Sequence, residues 1–120
     1  MVMTPEDIGL KFRTAIFTMS DMASDLSPLS YERTRLMAKA AALSEGLEIV
    51  EALLMQVEAD DYVKKYELSS KLVWADWVDA TNAVKQLGEW QESTSFAKAV
   101  GTRDGFAIAL GYVKDAINED

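Results

Sequence analysis

Apolar residues recur along this chain at alternating three- and four-residue spacings, the period of one helix face. Thr4-Pro5-Glu6-Asp7 reads as a helix start: a hydroxyl N-cap, proline at the first helical position, then acids in the first turn. A ladder of Ile8, Phe12, Ala15, Met19, Met22 and Leu26 follows, and Ser27-Pro28 closes it because proline restricts the residue before it. The second helix starts near Ser30, with Glu32 in its first turn and a ladder of Leu36, Ala40, Leu43, Leu47, Val50, Leu54 and Val57. The pattern breaks at 58–61, where Asp60 or Asp61 is placed to cap the next helix. The third ladder is Tyr66, Ser70, Val73, Trp77, Ala80, Val84 and Leu87, with Gly88 as a C-cap residue.

Ser93, Thr94 or Ser95 caps a fourth helix bearing Phe96, Ala99, Phe106, Leu110, Val113 and Ile117. Arg103 falls on that ladder, and Gly101-Thr102-Arg103-Asp104-Gly105 reads alternatively as a turn. The ladder keeps its phase across the segment, so one continuous helix is expected. No stretch alternates as a strand does. The expected fold is all-α: a single domain over 1–120, a four-helix bundle of two antiparallel hairpins (4–58 and 60–119) joined by short loops.

The hairpins share an approximate repeat. Ala38-Lys39-Ala40-Ala41 matches Ala97-Lys98-Ala99-Val100, and at the same offset Glu45-Gly46-Leu47-Glu48-Ile49 matches Asp104-Gly105-Phe106-Ala107-Ile108. A pseudo-two-fold relation between the hairpins is one reading; chance likeness of two alanine-rich helices is the other. Ala38, Ala42 and Gly46 stand four apart, as do Ala97, Gly101, Gly105 and Ala109. Residues four apart form a ridge, and a ridge of Gly and Ala admits a neighbouring backbone. Glycine inside a helix costs about 1 kcal/mol relative to alanine, so close packing of the second and fourth helices along these ridges is expected to offset it.

Several helices carry apolar residues off the main ladder. On a helical wheel Leu10 and Phe17 fall opposite the core face of the first helix, Ile49 and Leu53 lie off the second ladder, Leu68 and Leu72 off the third, and Ile108 off the fourth. Stacked apolar pairs form patches, and patches tend to be interfaces. Self-association is therefore expected, most simply as a two-fold dimer. The interaction face is assigned to Ile49, Leu53, Leu68, Leu72 and Trp74. Trp74 and Trp77 stand three apart in the third helix, a spacing that usually marks the core, the competing reading being a binding hot spot; Trp90 precedes the fourth helix.

Composition narrows the chemistry. The 120 residues contain no Cys and no His. Disulfides, thiolate metal sites and every catalytic set that needs imidazole are excluded, leaving carboxylates, Lys, Tyr or a hard cation. Twelve basic against twenty acidic residues give a net charge of -8. That disfavours direct binding to nucleic acid or to anionic membranes, and suits a basic protein partner, including one that itself grips nucleic acid. The N-terminal residues lack a signal-peptide pattern and no run is long enough to span a bilayer, so a cytoplasmic location is expected.

One carboxylate constellation stands out. Glu45, Glu48 and Glu51 are three apart on the second helix, and Asp76 and Asp79 three apart on the third. Ser44-Glu45-Gly46-Leu47-Glu48 and Asp76-Trp77-Val78-Asp79 resemble the paired acidic motifs of the all-α nucleotide pyrophosphohydrolases of the MazG type. Ser44 and Asp76 stand where that family has Glu. The resemblance implies Mg²⁺-dependent hydrolysis of nucleoside triphosphates. The same acids, with Glu58, Asp60 and Asp61, also suit a decoy presenting carboxylates where a nucleic acid presents phosphates. On these helices a solvated acidic face is the simpler reading, and neither a metal nor a cofactor is expected.

Gly101-x-x-x-Gly105 lacks the strand and lysine of a phosphate loop, and Asp60-Asp61-Tyr62-Val63-Lys64-Lys65 lacks the glycine and terminal glutamate of a calcium loop. Finally, Phe96-Ala97-Lys98-Ala99-Val100-Gly101-x-x-Asp104-Gly105-Phe106, with Ala109-Leu110, resembles small helical accessory proteins of tailed phages and prophages. That resemblance implies a part in virion assembly or in countering host defence, within the host cytoplasm. The leading expectation is a non-enzymatic interaction protein that works through its helix faces.

Overall fold

The computed structural model describes residues 2–56, 61–87 and 93–118. Four helices form in chain order: α1 (Pro5–Ser24), α2 (Tyr31–Leu54), α3 (Tyr62–Leu87) and α4 (Thr94–Ile117). Their starts follow the side-chain chemistry of the caps. The Thr4, Ser30 and Ser93 hydroxyls accept from the backbone N–H groups of Asp7, Arg33 and Phe96 at 3.2, 3.1 and 3.0 Å. The Asp61 carboxylate accepts from Lys64 N–H at 3.2 Å. Each of these bonds satisfies an amide that the first helical turn leaves without a partner. Gly88, Trp90, Val57, Glu58 and Asp60 lie outside the described residues.

α4 is continuous through Gly101 and Gly105. α1 ends sooner than Ser27-Pro28 requires: Asp25 N–H turns back to the Met22 and Ala23 carbonyls, and Arg33 donates to Leu26 O at 3.2 Å. Near this end the inward side of α1 passes to Ala23, which is buried, while Met22 is 52% exposed. From Met19, the next inward position on a helix of 3.6 residues per turn is four residues on rather than three.

α2 and α4 form the centre of the bundle. A Cβ added at Gly101 would strike the Arg35 carbonyl oxygen and come within 2.9 Å of Ala38 Cβ. One added at Gly105 would strike Lys39 O and lie 2.6 Å from Ala42 Cβ, and one at Gly46 would lie 2.8 Å from Ala109 Cβ. Ala42, Ala97 and Ala109 are fully buried along the same seam. The pairs 38 with 101, 42 with 105 and 46 with 109 advance together, so α2 and α4 run parallel, with glycine placed where one backbone meets the other. Partners in these pairs stand 63 positions apart, whereas the sequence repeat has an offset of 59. The contact register thus sits one helical turn from the register a strict two-fold repeat would give.

The other helices flank this pair. α1 packs chiefly on α2 and α3 chiefly on α4, and among the described residues α1 and α3 make no helix–helix contact. The core between them holds Ile8, Phe12, Leu43, Leu47, Val50, Tyr66, Val73, Phe106 and Val113. Phe12 meets Tyr112 edge-on, with ring centroids 5.3 Å apart. At the end where α1 begins, Met3 N–H donates to Ala116 O at 2.8 Å and Met3 O accepts from the Tyr66 hydroxyl at 2.7 Å. The extended residues before α1 are thereby tied to both α3 and α4.

Candidate interaction surface

The central position of α2 changes the predicted interaction face. α2 buries one stripe through Leu36, Ala40, Leu43, Leu47 and Val50, and further residues, Ala42, Gly46 and Leu53, beside it. Leu53 is 7% exposed and belongs to the core, and Ile49 is half-buried and packed against it. Leu53 is not available to a partner, and Ile49 offers only part of its side chain. One stripe per helix holds for a helix with neighbours on one side only, and α2 has α1, α3 and α4 around it.

Leu68 and Leu72 remain on the surface, 46% and 44% exposed and one turn apart on α3. Trp74 is half-exposed too, but two residues from Leu72 is a rotation of roughly 200° about the helix. It therefore lies on the other flank of the Tyr66–Val73–Ala80 stripe and does not extend the leucine pair. Trp77 packs against the core.

The most exposed stacked pair is on α1. Leu10 and Phe17 are 65% and 72% exposed, seven residues apart and hence on one face. Thr14 between them is exposed, and Arg13 beside them pairs with Glu51 of α2 at 3.1 Å. The buried Ile8 and Phe12 hold the opposite side of α1 on the bundle, so this face points away from the core by construction.

The acids do not gather. Glu45 and Glu48 are exposed on α2, Asp79 is exposed on α3, and Asp76 is part-buried. Among the described residues no three acidic side chains come together as a cation site. Burial, with the neighbouring Asp79 charge, raises the Asp76 carboxyl above its ordinary range. Asp61 caps α3 and lies 3.9 Å from the Lys64 ammonium. Among the described residues, one shallow groove of about 240 Å³ is lined by Pro5, Glu51, Leu54, Met55 and Tyr62, and another of about 310 Å³ by Thr34, Met37, Ala38, Ala41 and Lys98. Neither collects the convergent polar groups of a catalytic pocket.

Among the described residues no helix is long and apolar enough to cross a membrane. Comparison with protein families, with curated proteins and with solved structures finds no match.

The buried Tyr66 hydroxyl and Met3, which clamp the bundle end, are absent from the sequence-predicted sites. Tyr66 was legible as a ladder residue. Its partner carries no local signal, because nothing near Met3 in sequence announces a bond to a residue 63 positions away.

Proposed function

We propose that this chain is a non-enzymatic interaction protein whose outer helix faces bind protein, beginning with a second copy of itself paired through α1. The observation that carries the reading is the exposure of Leu10 and Phe17 on one face of a helix whose other face holds the buried Ile8 and Phe12 on the bundle. Closed two-fold pairing is the commonest way such a face is covered. The leucine pair on α3, a helix that makes no contact with α1 among the described residues, is less exposed and is assigned to a different partner. The likeness of the 96–110 segment to tailed-phage accessory proteins supports a role in virion assembly or in inhibiting a host protein.

The test compares two double variants by sedimentation equilibrium. Leu10→Gln with Phe17→Gln removes apolar surface without adding charge and is expected to abolish self-association with helicity unchanged. Leu68→Gln with Leu72→Gln is expected to leave it intact. The reverse pattern would overturn the assignment to α1.

A second reading, the acidic decoy, is favoured by one observation: Glu45 and Glu48 are exposed and, among the described residues, have no ion-pair partner. Binding to a basic nucleic-acid-binding groove through these acids would weaken steeply between low and physiological salt, since screening acts on exposed charge. Salt-insensitive binding would exclude it.

A further inference from the structure

We draw no further inference here: the strongest candidate, the outer face of α4 where Gly111 meets open space beside exposed Ala107 and half-buried Leu110, is a stripe of small and apolar residues, and nothing in the structure shows what covers it.

Discussion

Gly101 of α4 lies directly against the carbonyl oxygen of Arg35 on α2, so that its missing side chain is what lets the two central helices meet. The same arrangement recurs one turn further on, where Gly105 lies against Lys39 O. Across this seam the Arg35 guanidinium bonds Glu32 at 2.8 Å on its own helix and reaches to 4.0 Å from Asp104 on α4. Backbone contact and charge therefore coincide at the crossing.

Opposite effects are expected from glycine replacement within this one helix. Gly101→Ala and Gly105→Ala drive a methyl group into backbone that cannot swing aside, at a cost of about 1–3 kcal/mol. Gly111→Ala meets nothing within 4 Å and should gain about 1 kcal/mol from helix propensity. Urea unfolding of the three variants against wild type checks the contrast. Equal effects at 101 and 111 would mean that α2 and α4 do not touch as described.

Tyr66→Phe keeps the ring and deletes the hydroxyl, leaving the Met3 carbonyl without its buried donor. A loss of about 1–3 kcal/mol is expected, visible as a lower midpoint in urea unfolding. The same residue sets an alkaline limit. Burial pushes the Tyr66 phenol up to about 12 from an unfolded value of 10.0. The folded state thus prefers the neutral form. Its advantage is complete below pH 10 and is lost as pH rises through 12, by up to about 3 kcal/mol. Wild type should lose stability across that window, and Tyr66→Phe should lose less.

Asp76 gives a sign opposite to that of an ordinary ion-paired carboxylate. Its folded form holds a proton more tightly than its unfolded form, because burial and Asp79 disfavour the charge. At neutral pH both states are ionised and the folded one bears the penalty. As pH falls through the raised value the folded state takes up the proton first and the penalty disappears. Asp76→Asn should stabilise the protein at pH 7, by roughly 0.2–0.5 kcal/mol from the relieved like-charge pair alone, and the gain should vanish in acid. A constant difference across pH would contradict this.

Leu53 and Leu72 look alike as off-ladder leucines in the sequence and should behave differently. Leu53→Asp places an unpaired charge in the core and is expected to unfold the chain. Leu72→Asp changes a half-exposed position and should leave the circular dichroism spectrum and the melting transition nearly unaltered.

The elements most legible in the sequence were those governed by local physics. Hydroxyl caps at Thr4, Ser30 and Ser93 need only their own first turns, and they mark three of the four helix starts. The Gly–Ala ridges were legible because glycine is costly inside a helix unless something comes close. What the sequence concealed was neighbourhood. Leu53 is buried because α2 sits among three helices, which its own periodicity does not encode. Trp74 is the exception: its separation from Leu72 follows from residue spacing alone, and the grouping of the two on one face was an error of angle.

The reading of function rests on whether a second molecule covers Leu10 and Phe17. Sedimentation equilibrium of the wild-type protein, at concentrations spanning the micromolar range, tests it most directly. A particle of twice the 13.3 kDa chain mass that dissociates on dilution is the predicted result. A particle of single-chain mass throughout that range would contradict it.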